Sequence, residues 1–252
     1  MNPAILVLVT GDPVPAVRAR RGSFVDLIRQ AAPDFGTHRW LAHDVRLEGA
    51  LPPLGGEMAV IITGSALSVT EALPWKDAVS AWLRELVSRE VPVLGICFGH
   101  QLLAHALGGR VSTNPNGREM GSTQLTLLGD DELFAAGSSS WVNNTHVDSV
   151  VELPPGARVL GRTALEPHAA VRFGPSAWGV QFHPELDADV LRDYFEARRS
   201  TLLAEGFDIE ASERALVDAP DAARLIGRFL ELARARRGAA RGLAAAAGAP
   251  AE

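Results

Sequence analysis

The 252-residue chain is 47% hydrophobic and 21% charged, enough apolar material to bury a sizeable core without disulfide or metal staples, and this excludes whole-chain disorder. A formal net charge of −6 gives no electrostatic footprint for nucleic acid or an anionic membrane, so neither is expected as a partner. The single cysteine, Cys97, rules out an intrachain disulfide and fits a reducing compartment; with no basic segment before the short apolar run Ala4 to Val9, a soluble cytoplasmic protein is expected.

In chain order, Ala4 to Val9 reads as a buried strand closed by the turn signal Gly11-Asp12-Pro13. Phe24, Val25, Leu27 and Ile28 recur at helical spacing. His38 to Leu41 is a short strand candidate, and Met58 to Ile62 is a stronger one that stops at Thr63-Gly64-Ser65. A helix from about Pro74 to Ser88 carries Trp75, Val79, Trp82, Leu83 and Leu86 on one stripe. Val91 to Ile96 is the next strand and runs directly into Cys97-Phe98-Gly99-His100 and a helix through Leu107. Strands alternating with helices predict a parallel sheet covered on both faces.

Beyond residue 120 the pattern changes. Ser122 to Leu128, Trp141 to Asn144, Val159 to Arg162, Ala169 to Phe173 and Ala177 to Phe182 read as short strands, antiparallel or mixed, attached to the same sheet. From Asp187 the pattern is helical again, with Val190, Leu191, Tyr194 and Phe195, then Ala222 to Arg234. The fold class that follows is α/β, a mixed, mostly parallel central sheet flanked by helices, with a C-terminal helical extension. One domain is expected over residues 1–235, including the extension from about 187, followed by an Ala-rich disordered tail over 236–252.

Gly95-Ile96-Cys97-Phe98-Gly99 sits at a strand-to-helix junction, the setting in which a nucleophile is held on a tight turn. Small residues two before and two after the sulfur let strand and helix approach, while free N–H groups and the dipole at the helix start favour a thiolate. By position alone a lone cysteine after an apolar strand is a buried small hydrophobe; the flanking glycines and helix start favour a nucleophile. His183 is the best-placed base, because it follows a strand, and Pro184 stops that strand so that positions 183 and 185 can face one site. Glu185 would then hold the second imidazole N–H, as the acid of a triad does. For an oxyanion hole the Phe98 N–H is the first candidate donor, and the Thr63-Gly64-Ser65 turn is the glycine turn at the right edge to supply a second from Gly64.

Gly95-Ile96-Cys97-Phe98-Gly99-His100-Gln101, with Gln181-Phe182-His183-Pro184-Glu185 downstream and Thr63-Gly64-Ser65 upstream, resembles a class I glutamine amidotransferase over about residues 58 to 186. Gly117-Arg118-Glu119-Met120-Gly121 and Asn144-Thr145-His146-Val147-Asp148 narrow the resemblance to free-standing proteins similar to the amidotransferase domain of GMP synthase. The resemblance implies a flavodoxin-like fold and a Cys97, His183, Glu185 triad. It further implies that Gln101 helps hold the glutamine side of the substrate, that Gly64 and Phe98 N–H groups stabilise the oxyanion, and that backbone atoms near Thr145 and His146 contact the amino-acid end. Read from the residues alone, Gln101 serves equally as a helix-surface residue and His146 as a turn histidine. Ala66 departs from the proline of many relatives, which touches the shape of the oxyanion loop.

Cys97, His100 and His105 do not make a metal site, since the two histidines fall on different helix faces. An α/β-hydrolase arrangement would place the acid well before the histidine, and an intracellular-protease-like relative would carry histidine directly after the cysteine, where this chain has Phe98. No metal or cofactor is implied. The expected reaction is cleavage of the γ-amide of glutamine through a cysteinyl thioester, releasing glutamate and ammonia. Without a Walker-type glycine loop in the sequence, use of that ammonia would need a separate synthetase partner. The alternatives are a stand-alone γ-glutamyl peptidase or hydrolase and a non-catalytic binding module of the same fold.

Overall fold

The computed structural model describes residues 4–54, 57–134 and 139–247. The chain opens with β1 (Ala4–Val9), α1 (Pro15–Arg21), α2 (Phe24–Gln30), a single 3-10 turn, β2 (Trp40–Asp44), β3 (Glu57–Ile62), α3 (Lys76–Ser88), β4 (Val93–Ile96) and α4 (Phe98–Ala106). It continues through β5 (Arg110–Thr113), β6 (Glu119–Leu127), β7 (Ser139–His146), β8 (Asp148–Glu152), β9 (Arg158–Arg162), β10 (Ala170–Gly174) and β11 (Ala177–Val180). It closes with α5 (Ala188–Ala197), α6 (Arg199–Ala204), α7 (Ile209–Arg214) and α8 (Pro220–Ala247).

Nine strands form one sheet in the order β2-β1-β3-β4-β11-β10-β9-β6-β7, and β5 pairs with β8 in a separate two-stranded sheet. β2, β1, β3, β4 and β11 run parallel; β10, β9, β6 and β7 add antiparallel strands to the same sheet. The later strands thus join the parallel half through β11, which pairs Gly179 with Gly95 and Val180 with Ile96.

Strand side chains alternate between faces, and the core divides accordingly. Ile5, Val7, Ile61, Leu94, Ile96, Trp178 and Val180 pack with Phe35, Ile226, Phe229 and Leu230 on one face. Leu6, Leu8, Val60, Ile62 and Val93 pack with Trp82, Leu83, Leu86, Leu102 and Leu103 on the other. On α8 the buried residues Ala222, Leu225, Ile226, Phe229, Leu230 and Ala233 follow the 3-to-4 spacing of one helical stripe. Ile226, Phe229 and Leu230 are fully buried, worth roughly 1.5–3 kcal/mol apiece.

The structure differs from expectation at several elements, two of them as follows. The second strand begins at Trp40 rather than His38, because the preceding residues leave a 3-10 turn at Pro33–Phe35. α8 runs on to Ala247, into the Ala-rich stretch from residue 236; alanine and arginine have high intrinsic helix propensity. Residues 248–252 lie outside the described residues. Among the described residues, no helix is long and apolar enough to cross a membrane.

Candidate active site

The register puts four strand ends side by side. Leu8 pairs with Ile62, Ile62 with Gly95, and Gly95 with Gly179, so Thr10, the Thr63 to Ser65 turn, Cys97 and the segment after Val180 emerge along the carboxyl edge of the parallel half. This is where α/β sheets collect their sites. Cys97 occupies the N-cap of α4 with φ 50° and ψ −105°, a backbone conformation that costs a non-glycine residue about 1–3 kcal/mol. The turn is possible because its flanks are bare: a Cβ on Gly95 would lie 2.5 Å from the Gly99 carbonyl oxygen, and one on Gly99 would lie 2.5 Å from that of Ile62.

The Cys97 sulfur lies close enough to His183 for its charge to favour the protonated imidazole. The other side of the imidazole is held by Glu185, with Nδ1 2.8 Å from Oε1. All three residues are buried, at 5, 3 and 6% exposure for Cys97, His183 and Glu185. Burial pulls the imidazole's pKa down, yet the charges of Glu185 and then Cys97, with the hydrogen bond to Glu185, overcome it and push His183 up to about 10. In low dielectric an opposite charge in contact outweighs desolvation in this way.

The base is fixed from several directions. His183 N–H donates to the Asn143 carbonyl at 2.8 Å, and Asn143 Nδ2 donates to the Leu186 carbonyl at 2.8 Å, so β7 grips both ends of the His-Pro-Glu turn. Ser122 Oγ donates in turn to Asn143 Oδ1 at 2.8 Å. The Phe24 ring lies nearly parallel to the imidazole, 6.2 Å between centroids. A Cβ on Gly64 would come within 2.7 Å of His183 Cε1, so this turn approaches as closely as only glycine permits. Thr10 secures it: its N–H donates to Thr63 Oγ1 at 3.0 Å and its hydroxyl to the Thr63 carbonyl at 2.9 Å.

A cleft of about 420 Å³ opens beside Cys97, and Ser65, Ala66, Gln101, His146, Asp148 and Arg198 are among the residues lining it. A family model described as glutamine amidotransferase class-I matches residues 50–196. The chain belongs to that family. It is 41% identical over 133 residues to the GMP synthase [glutamine-hydrolyzing] of Clostridium perfringens, covering 51% of this chain and 24% of that protein. It thus spans about a quarter of that synthase. A glutamine amidotransferase-like protein of Schizosaccharomyces pombe is 26% identical over 239 residues, covering 86% of this chain and 91% of the relative. Among solved structures, a Thermotoga maritima glutamine amidotransferase shares the fold with TM-score 0.72 at 22% identity, covering 92% of this chain and 98% of its own. One from Methylobacillus flagellatus does so with TM-score 0.72 at 21% identity, covering 94% of each chain.

The remaining candidates of this amidotransferase chain meet at the same cleft. Gln101 is 3% exposed, which removes the helix-surface reading; its Nε2 donates to the Asp148 carbonyl at 2.8 Å and to Gln181 Oε1 at 3.0 Å. Gln181 Nε2 points on to Cys97 Sγ at 3.5 Å. His146 is buried, with Nδ1 3.0 Å from the Asp148 carbonyl oxygen and Nε2 3.2 Å from Glu119 Oε2, while Thr163 Oγ1 donates to Glu119 Oε1 at 2.6 Å. Thr145 turns its carbonyl to Arg198, whose Nη1 donates at 3.3 Å. The Phe98 N–H is the first of the donors that a helix start leaves without an intrahelical acceptor. His100 takes no part in the cleft: it packs against Phe173, and burial, then repulsion from His168 and His146, lowers its pKa to about 3.

Sequence reasoning did not pick out Gln181, Asn143, Glu119 or Arg198 as site residues. Gln181 had a visible signal, since it lies two positions before His183 at the end of a strand. The others reach the site through contacts between distant segments.

Proposed function

We propose that the chain hydrolyses the γ-amide of glutamine, with Cys97 as nucleophile, His183 as acid and base, and Glu185 as the group that orients His183. The observation that carries this reading is the buried group of Cys97, His183 and Glu185, with His183 hydrogen-bonded to Glu185 and coupled electrostatically to Cys97, beside a cleft that reaches the sulfur.

The Cys97 thiolate adds to the γ-carbonyl carbon, and the carbonyl oxygen becomes an oxyanion facing the N–H groups of Phe98 and Gly64. As the tetrahedral intermediate collapses, protonated His183 gives its proton to the leaving nitrogen; the C–N bond breaks, ammonia departs and a γ-glutamyl thioester remains. Neutral His183 then takes a proton from water, whose oxygen attacks the thioester. Cleavage of the C–S bond releases glutamate and restores the thiolate beside imidazolium. Glu185 keeps the reacting nitrogen of His183 turned to sulfur throughout. Gln101 and the backbone at Thr145 and His146 hold the glutamyl unit. The ammonia is handed to a separate synthetase. This is in keeping with the likeness to a Saccharolobus solfataricus protein named as one part of a glutamine-hydrolyzing GMP synthase, 39% identical over 132 residues and covered to 66% of its length.

A second reading, a stand-alone γ-glutamyl hydrolase, is favoured by the width of the cleft. Arg198 and Thr201 of the helical extension help to wall it, and its volume of about 420 Å³ lies in the range that accepts ligands larger than a single amino acid. Glutamate release from glutamine and from a panel of γ-glutamyl amides, with and without candidate synthetases, separates the two. Stimulation by a synthetase supports the first, and high unaided turnover of one γ-glutamyl compound supports the second. Release retained in full by Cys97→Ala overturns both.

A further inference from the structure

Two guanidinium groups, Arg118 and Arg198, face the cleft, and they differ in what neutralises them. Arg118 is clamped by Glu205, with Nε 2.6 Å from Oε2 and Nη2 2.9 Å from Oε1. Arg198 has no such counter-ion among the described residues. It occupies the joint between α5 and α6, its guanidinium carbon lies 5.3 Å over the Tyr194 ring, and Nη1 donates to the carbonyl and hydroxyl of Thr145. Burial lowers its pKa; Tyr194 and Cys97 oppose that shift while Arg118 adds to it, and no carboxylate of the described residues contributes. A largely buried cation without an anion is costly unless something supplies the anion, and a planar guanidinium is the side chain best matched to a carboxylate.

The cleft lining also carries the opposite sign, in Glu71 and Asp148. A cleft lined by an uncompensated guanidinium, two carboxylates and the Cys97 thiol offers partners for both charges of a free amino acid as well as for the reacting amide. Arg198 also lies past residue 196, where the family match ends, so its presence at the site is a contribution of the helical extension.

Resting on the hydrolase reading above, we propose that Arg198 is a specificity-determining residue that binds the α-carboxylate of the glutamyl unit. The substrates are then γ-glutamyl compounds with a free α-carboxylate, and compounds whose α-carboxylate is amidated or built into a peptide bond are rejected.

The test uses the full chain and two probes of the only cysteine, anionic iodoacetate and neutral iodoacetamide. The ratio of their alkylation rates is internal to each sample, so partial loss of folded protein does not alter it. Arg198→Gln lowers the iodoacetate-to-iodoacetamide ratio about tenfold, as expected for removal of one charge-assisted contact, and Arg198→Lys restores much of it. In parallel, the ratio of kcat/KM for glutamine over its α-amide falls about tenfold in Arg198→Gln, mainly through KM. Ratios unchanged from wild type in Arg198→Gln overturn the proposal. Should wild type release no glutamate from any γ-glutamyl compound while its alkylation ratio still depends on Arg198, the hydrolase reading falls and the carboxylate subsite stands.

Discussion

Two buried histidines belong to the candidate site, and each has a glutamate partner. His183 meets Glu185 through Nδ1 at 2.8 Å and keeps its other nitrogen for Cys97. His146 meets Glu119 through Nε2 at 3.2 Å and spends Nδ1 on the Asp148 carbonyl at 3.0 Å. A carbonyl oxygen only accepts, so His146 Nδ1 carries a proton. With Nε2 against Glu119 as well, neither nitrogen is left for chemistry. On the proposed mechanism, the same residue pair makes a proton carrier in one place and a brace in the other, and the difference is one uncommitted nitrogen. The brace has its own route to the sulfur, because the Asp148 carbonyl that His146 holds also receives Gln101, which bonds Gln181, which reaches Cys97.

The comparison is broken or sharpened by substitution. The largest effects are expected at Cys97 and His183: Cys97→Ala and His183→Ala each lower kcat for glutamate release by about 10⁴-fold or more, and the double variant by little beyond either, since the pair acts as a unit. Next comes Glu185→Gln, with a loss of roughly 10²–10⁴-fold in kcat. It also has a pH signature. His183 binds its proton more tightly folded than unfolded, so its contribution to stability is complete below about pH 6.5 and is lost as pH rises through about 10. Thermal denaturation of wild type across that window should show a decline that Glu185→Gln flattens. Gly64→Ala drives a methyl into the His183 ring, and a displaced base should cost about 10²-fold in kcat with KM changed less. The smallest effect belongs to the brace: His146→Gln or Glu119→Gln should lower kcat/KM about tenfold, mainly through KM. A His146→Gln loss as large as that of His183→Ala would end the distinction drawn between the two pairs.

The elbow and the His-Pro-Glu turn were legible because each is contiguous in sequence and carries its own punctuation, paired glycines in one and a proline in the other. The parallel half was legible from continuous apolar runs. What escaped reading is what depends on distant segments meeting. α1 buries only Val17, so it has no apolar stripe to announce it. β5 and β8, Arg110–Thr113 and Asp148–Glu152, are short and largely polar, and they gain strand form from each other. Arg198 looks like any arginine at a helix end; its meaning comes from Tyr194, Thr145 and a cleft assembled from several other segments. Glu119 likewise becomes informative only once β6 lies against β7, where it pairs with His146.

The left-handed backbone at Cys97 has a consequence for how this protein would respond to laboratory evolution. Residue 97 is one of two non-glycine residues at positive φ among the described residues, the other being Glu90, and glycine would relax it. A screen rewarding heat tolerance alone would therefore gain from discarding the sulfur, whereas one rewarding turnover must keep the tension and find its robustness elsewhere, for example along α8, which contributes no lining residue to the cleft.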